Sequence, residues 1–395
     1  MPEVLVIGGG PVGLFMAALL LQSGVRVRVL EQRTAPEPHS RAIGIHPPAL
    51  EVLQQIGVAQ DLVADGVPIR HGIAVGGGRQ LAEMNFNGVS ATFPFVLSLP
   101  QCRTEGALER RVLALDPGAV LRGVRVTGMH DDGARVTVTG TSASGPVRYA
   151  AALVIAADGV RSAVRTLLGT GLKSKNYSDS YLMGDFVDGT CLGPDAALFL
   201  AGAGIVESFP LPGALRRWVV RLNRTDLARA DSARADSARA GVPPNEADVR
   251  WLVELIRERT GIDVDGNSNS MLSRFGVRSR LARRMVTGRT VLIGDAAHEI
   301  SPIGGQGMNL GWLDAVALAP LVLGAVRGAG VEAEFQQFER SRMTAAVRAT
   351  RQAEINMALG RPLPGALLGI RNHAIAAVAA VPAANAFVAR RFTMQ

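Results

Sequence analysis

Six residues near the start of the chain, Gly8-Gly9-Gly10-Pro11-Val12-Gly13, constrain its fold more than any other stretch. They satisfy G-x-G-x-x-G, a weak string alone, but the context is specific. Val4 to Ile7 is a short apolar run that reads as a buried parallel strand. Val12 to Ser23 has helical patterning closed by Gly24, and Val25 to Leu30 reads as a second strand ending on Glu31, 18 residues after Gly13. Strand, glycine turn, helix, strand is a βαβ unit of the dinucleotide-binding type. Gly8 permits the tight turn, Gly10 lets backbone approach a pyrophosphate, and Gly13 allows close helix–strand packing. Pro11 and Val12 open the helix, whose N-terminal N–H groups face the phosphates. Glu31, followed by Gln32 and Arg33, stands where an acid accepts hydrogen bonds from the adenosine ribose. This unit alone does not separate NAD from FAD.

The rest of the chain reads as a mixture of strands and helices. A helix is expected from Pro48 to Ile56, antiparallel strands between Gly72 and Leu99, and a helix from Thr104 to Leu115. Ala119 to Met129, Ala134 to Thr139, Pro146 to Tyr149 and Leu153 to Ala156 read as strands. From Tyr177 the character changes to a mostly antiparallel sheet, with strands at Tyr181–Val187, Ala197–Leu200, Ile205–Phe209 and Arg217–Leu222. A helix near Glu246–Arg259 and a buried strand at Thr290–Ile293 follow, and from Gly307 the chain is largely helical. The duplicated Arg-Ala-Asp-Ser-Ala at 229–238 matches neither helix nor strand period and reads as a surface insertion.

Composition narrows the function classes. Of 395 residues, 48% are hydrophobic and 19% charged, as in a globular protein with a full core. The net charge of +8 comes from scattered arginines, with Lys173 and Lys175 the only lysines, so no nucleic-acid footprint is expected. Cys102 and Cys191 make neither a disulfide framework nor a CxxC site, and the dispersed histidines argue for no metal. The first strand begins about three residues from Met1, which leaves no room for a signal peptide. The apolar stretch Ala374–Ala389 is shorter than the ~20 residues that span a bilayer. A cytoplasmic protein without a transmembrane segment is expected.

Two further motifs decide the cofactor. Gly294-Asp295-Ala296-Ala297-His298 is followed by Pro302-Ile303-Gly304-Gly305-Gln306-Gly307-Met308-Asn309, and Ala157-Asp158-Gly159-Val160-Arg161-Ser162 follows the Leu153–Ala156 strand. With the N-terminal fingerprint, these make the chain resemble the class A flavoprotein monooxygenases, the para-hydroxybenzoate hydroxylase-like family that includes aromatic polyketide-tailoring hydroxylases. The resemblance covers roughly residues 4–325. It implies tightly bound FAD, with Asp295 of Gly294-Asp295 on a ribityl hydroxyl and Pro302, Gly304, Gly305, Gly307, Met308 and Asn309 along the isoalloxazine ring. Asp158, Gly159 and Arg161 match the segment associated with FAD and transient NADPH or NADH binding. Ser40-Arg41-Ala42 and Pro100-Gln101-Cys102-Arg103 are softer matches, giving Arg41, Gln101 and Arg103 as cofactor contacts. A helix N-terminus near Gly307 favours the negative charge that reduced flavin carries at its N1–C2=O edge.

The resemblance implies an α/β fold: a Rossmann-type FAD-binding domain (1–71, 100–176 and 280–358) interleaved with a mostly antiparallel substrate-binding sheet domain (72–99 and 177–279), then a C-terminal helical segment (359–395). It implies hydroxylation of a hydrophobic phenolic or polyketide-like aromatic, with NAD(P)H and O2 consumed through a flavin hydroperoxide, as in secondary metabolism, by a monomer or homodimer. The cofactor carries the chemistry, so no covalent nucleophile is required. His46 is the candidate pocket-lining group, and Pro302 lies beside the flavin by its backbone; His298 reads as packing near the cofactor. Tyr181 and Trp218 lie on the presumed substrate sheet, whose Phe186, Phe199, Phe209 and Leu211 suit a large apolar ligand. A reductase on the same fold, or a non-catalytic flavoprotein that binds a hydrophobic ligand, are the alternatives. The chain departs from larger members of the family in having no room for an added thioredoxin-like domain after about residue 360, and no general base is recognisable.

Overall fold

The computed structural model describes residues 2–36, 42–229 and 244–395. The duplicated segment therefore lies, apart from Arg229, outside the described residues, as does Arg41. The chain forms two compact units: Met1–Ala64 with Pro100–Asn176 and Arg278–Ala353, and Asp65–Leu99 with Tyr177–Val277 and Glu354–Gln395. The C-terminal residues, read from sequence as a separate segment, group with the second unit.

In the first unit a six-stranded sheet runs in the order Val286–Thr287, Thr290–Leu292, Leu153–Ala156, Val4–Ile7, Val27–Glu31, Val120–Arg122. All neighbours pair parallel except the first two, which form a hairpin. Val4–Ile7 is central and buried on both faces, which is why it reads as an unbroken apolar run rather than an alternation. Helix Pro11–Gln22 starts with proline at its first position, where a missing N–H costs nothing. It packs against helices Gln101–Leu115 and Gln306–Val326.

One sequence expectation is corrected here. Ala119–Met129 is not a single strand: Gly123, at φ +73°, turns the chain so that Val120–Arg122 joins the parallel sheet. Arg125–Asp131 instead pairs antiparallel with Val136–Ser142, the middle strand of a separate three-stranded sheet.

Three adjacent parallel strands deliver three motifs to one edge. Ile7 is in register with Ala156, and Ala156 with Leu292. The fingerprint, the Asp158-Gly159 turn and the Gly294-Asp295 turn therefore leave the sheet side by side, at its carboxyl end. The second strand of the βαβ unit ends there as well, on Glu31.

In the second unit the strands follow the order Met271–Ala282, Leu172–Val187, Leu215–Leu222, Val206–Leu211, Ala196–Phe199, His71–Gly76, Arg79–Asn85. The last three turns of this path are antiparallel except between Ala196–Phe199 and His71–Gly76. Helix Pro244–Thr260 covers one face. Its Trp251, Leu252, Leu255 and Ile256 meet Leu182, Phe186, Phe199, Val206, Trp218 and Val220. Phe199 and Trp218 stack at 5.9 Å. Phe186, Phe199 and Trp218 are thus core residues under a helix, which corrects the expectation that Phe186 and Phe199 favour a ligand.

Helix Gln306–Val326 is long and apolar enough to cross a membrane, but half of its most apolar window is buried inside the protein, as in a core helix. The C-terminal pair Gly365–Ala380 and Pro382–Phe392 would reach that length together, yet it bends by 102°. Val381 precedes a proline and takes an extended conformation, so the helix stops there.

Packing of the first unit relies on missing side chains. A Cβ on Gly311 would lie 2.5 Å from Val12 Cγ2 and 3.2 Å from the Gly294 Cα, so helix Gln306–Val326 touches both other motifs through a glycine. Gly311→Ala is expected to cost about 1–3 kcal/mol in denaturant unfolding, and adding Val12→Ala should restore more than half of it. Equal losses in the single and double variants would refute the contact.

Candidate active site

The fingerprint turn is closed from inside by Glu31. Gly9 N donates to Glu31 Oε2 at 2.6 Å, while Glu31 Oε1 accepts from Arg33 N (2.8 Å) and Nε (3.1 Å). A Cβ on Gly9 would stand 3.1 Å from Glu31 Oε2, so a side chain at this position would require Glu31 to shift by a few tenths of an ångström. Gly8, at φ +107°, would place a Cβ 2.3 Å from the Ala157 carbonyl, and Gly13 one 2.0 Å from the Gly8 carbonyl. Gly10 is different: no atom lies within 4 Å of its would-be Cβ. It precedes helix Pro11–Gln22 without a side-chain cap, leaving first-turn N–H groups to a ligand. Pro11 O accepts from Trp312 Nε1 at 3.0 Å. Gln32 is exposed, and Arg33 also approaches Glu105 at 3.6 Å.

The Asp158 loop shows an unfilled valence. Asp158 Oδ2 accepts from Val164 N at 3.1 Å, whereas Oδ1 is buried without a partner among the described residues. Burial raises this carboxyl above its ordinary value. Gly159, at φ +77°, has open space beside it. Arg161 is exposed and free of ion pairs among the described residues, as is Arg103. Ser162 serves as N-cap, its Oγ accepting from Arg165 N at 2.9 Å. Arg165 is a site residue that sequence reading missed. Its guanidinium donates to Ala296 O (2.8 Å) and Val160 O (2.9 Å), tying the Asp158 loop to the Asp295 turn. Gln101 opens its helix, donating from N to Ala42 O at 3.1 Å and from Nε2 to Glu105 Oε1 at 2.7 Å.

Gly294, at φ +58°, starts a short 3-10 turn, Gly294–Ala296. Asp295 is exposed on this turn, and the protein around it raises its carboxyl above the ordinary value, against the partial relief of the His298 charge. Gly305 follows at φ +66° as an uncapped left-handed N-cap of Gln306–Val326. Its N donates to Pro302 O at 2.9 Å, which shapes the turn; a Cβ on Gly307 would meet Asp295 Oδ1 only at ordinary contact distance, 3.9 Å, and Met308 is half-buried. Asn309 is the buried fastener of this loop. Its Nδ2 donates to Gly305 O (2.7 Å) and Gly44 O (2.9 Å), and its Oδ1 accepts from His46 N (2.8 Å).

His46, expected to line a substrate pocket, is corrected by its surroundings. It is buried, and its Nε2 lies 3.1 Å from Gly304 O. Burial, only partly offset by that bond, lowers its pKa to about 4, so a neutral imidazole donates to the Gly304 carbonyl and fixes the loop.

Behind the loop lies a charge network that the sequence did not announce. His298 Nε2 donates to Asp314 Oδ2 at 2.5 Å, Arg342 Nε to Asp314 Oδ1 at 2.7 Å, and Gly294 N to Asp314 Oδ2 at 3.1 Å. Burial opposes both charges, but Asp314 raises His298 and the two cations lower Asp314, leaving a protonated histidine and an ionised acid. Asn309 was marked by the Pro302 motif, whereas for Asp314 the one sequence signal is an acid on a largely apolar helix.

Similarity to known proteins agrees with this site. A family described as FAD binding domain matches residues 1–353. A monooxygenase of Streptomyces rimosus subsp. rimosus that acts as 12-dehydrotetracycline 5-monooxygenase and anhydrotetracycline 6-monooxygenase is 31% identical over 378 residues, or 92% of this chain and 70% of that protein. The chain belongs to the FAD-dependent monooxygenases. A 6-methylpretetramide 4-monooxygenase of Streptomyces rimosus is 35% identical over 332 residues, 83% of this chain, and the chain spans 56% of its length. The crystal structure of a p-nitrophenol 4-monooxygenase from Pseudomonas putida superposes over 100% of this chain and 98% of its own with a TM-score of 0.87, at 24% identity, a likeness of fold.

These residues fit FAD on the structure's own terms: an orphaned buried carboxylate oxygen at Asp158, open backbone at Gly10 and Gly159, and uncapped helix starts on both sides. For the buried network, Asp314→Ala leaves two cations uncompensated and should cost about 3–5 kcal/mol near neutral pH. The part owed to His298 is full below its ordinary 6.5 and fades as pH rises through the raised value. Thermal unfolding of both proteins between about pH 6 and pH 9 should therefore show a gap that narrows with pH. A constant gap would show that His298 is uncharged in the fold.

Proposed function

We propose that the chain is an NAD(P)H-consuming hydroxylase of hydrophobic aromatic compounds, with FAD held along the carboxyl edge of the first unit's sheet. The observation that carries this reading is the convergence of three motif loops, from three neighbouring strands, onto that edge. First-turn N–H groups beyond Gly10 take the pyrophosphate, with Arg103 and Arg161 as free cations for phosphate charge. Arg41 is assigned there from sequence alone. Glu31, whose two oxygens keep unused lone pairs, accepts from the ribose, with Gln32 and Arg33 beside it. Asp158, Gly159 and Gln101 meet the ribityl–phosphate side, and Asp158 Oδ1 gains the donor it lacks.

Gly294 sets the turn that presents Asp295 to a ribityl hydroxyl. Pro302, Gly304, Gly305, Gly307, Met308 and Asn309 pass the isoalloxazine edge, and the helix start there favours negative charge. His46 holds the Gly304 carbonyl in place, acting as a positioning residue. When bound, FAD accepts hydride equivalents from NADPH or NADH and activates O2 for transfer to an electron-rich aromatic carbon. The second unit is assigned the substrate, as an interleaved domain. Relatives named for tetracycline-type compounds and for para-nitrophenol support the aromatic class.

The purified protein should be yellow, and NADPH should bleach it without air. Aromatic substrates should then accelerate NADPH oxidation with matching O2 uptake. Asp295→Ala should weaken FAD retention by about tenfold or more. Product formation that continues at full rate under anaerobic conditions would exclude a monooxygenase.

A further inference from the structure

The second unit's sheet has one face packed under helix Pro244–Thr260 and another of mixed character. Cross-strand partners share a face, and residues two apart on a strand share it too. Tyr181 pairs with Arg221, and Met183 with Val219. Val219 pairs with Glu207, which pairs on its other side with Leu198. Tyr181, Met183, Val219, Glu207 and Leu198 therefore all lie opposite the helix, whose side takes Leu182, Val206, Trp218 and Val220.

Charges on this face are matched in pairs, with one exception. Arg217 binds Asp185 through two bonds of 2.7 and 2.8 Å. Arg221 binds Asp179 at 2.9 and 2.8 Å, and Arg361 adds a contact to the same acid at 3.3 Å. Glu207 is 9% exposed and makes no hydrogen bond or ion pair among the described residues. Tyr181, stacked on Phe275 at 5.5 Å, has a buried hydroxyl without a hydrogen-bond partner. A buried carboxyl and a buried phenol left unsatisfied on one sheet face are costly in isolation. They cease to be costly when a ligand brings the missing donor.

We propose that Glu207 determines substrate specificity by accepting a hydrogen bond from a hydroxyl on the aromatic substrate, with Tyr181 as the second polar contact and Met183, Leu198 and Val219 as apolar surroundings. This rests on the assignment of the second unit to the substrate. Burial alone pushes the Glu207 carboxyl up to about 7, so the empty site is neutral below that pH and charged above it, and a donor strengthens its hold on the charge.

The test uses two fluorescent probes of nearly equal shape, 2-naphthol and 2-methoxynaphthalene, titrated into the FAD-loaded protein. Naphthalene emission gives binding without reference to flavin redox state. The wild type should prefer the naphthol by about tenfold, the worth of one bond to a charged acceptor. Glu207→Leu should bring the two within about twofold while keeping methoxynaphthalene binding, and Glu207→Gln, which retains an acceptor, should fall between. The raised carboxyl makes the wild type lose stability as pH climbs through about 7, so Glu207→Leu should melt higher than the wild type at alkaline pH, which separates a ligand effect from misfolding. An unchanged preference in Glu207→Leu, or a wild type that binds neither probe, overturns the assignment. If discrimination depends on Glu207 but NADPH never reduces the flavin, the proposed function fails and this inference stands. If aromatic hydroxylation proceeds and Glu207→Leu keeps the preference, this inference alone fails.

Discussion

The first unit depends on backbone approaching backbone at the carboxyl edge of its parallel sheet. Gly8 lies against the Ala157 carbonyl, Gly13 against Gly8, and Gly311 against Val12 and Gly294, all at separations that a Cβ would violate. The Gly13–Gly8 approach is made within one turn, but those of Gly8 to Ala157 and of Gly311 to Val12 and Gly294 join distant stretches, so the edge is assembled by tertiary packing and not by any one loop. Because glycine offers no side chain there, N–H groups and helix starts remain uncovered at the same edge. Close packing and ligand access have one cause. That is also why the turns require positive φ: the chain must reverse within a residue or two to keep these approaches short.

Electrostatics then fixes what glycine brings together. Asp314 holds His298, Arg342 and the Gly294 N–H at once, and Arg165 bridges two of the loops through carbonyl oxygens. Asn309 and His46 do similar work with neutral groups. Buried networks of this kind add little net stability, but they are expensive to break, so their effect is to select one loop arrangement over its competitors. In the second unit the Asp185–Arg217 and Asp179–Arg221 pairs play the same part across a sheet. Against that background an acid left unmatched on the same face, Glu207, stands out as a place where the fold leaves polar chemistry unfinished.

Much of the first unit was legible because its signals are local. Val4–Ile7, the glycine turn and the strand ending on Glu31 obey short-range rules of period and turn chemistry. The carbonyl and N–H pairings of a parallel sheet follow once those rules place the strands. The division of Ala119–Met129 was not legible, because the residues on both sides of Gly123 suit a strand equally well, and only pairing partners decide that they join different sheets. His46 was misplaced for a related reason: a lone histidine carries no label that distinguishes a pocket wall from a buried fastener. Phe186 and Phe199 looked like ligand contacts until the alternation along their strands was set against the helix that covers one face.

By itself, then, the sequence determined that a dinucleotide would lie against a βαβ unit, and, through motifs near both ends, that it would be a flavin. Those are properties of short segments whose turn, strand and helix preferences are encoded within a few residues. The tertiary structure alone decided which polar groups would be satisfied. Whether Asp314 meets His298, whether Asp158 keeps a free oxygen, and whether Glu207 finds an arginine depend on which strands and helices become neighbours. No rule of helix period, strand alternation or turn chemistry links such partners, even His298 and Asp314, 16 residues apart, because their pairing is set by packing and desolvation in the folded whole.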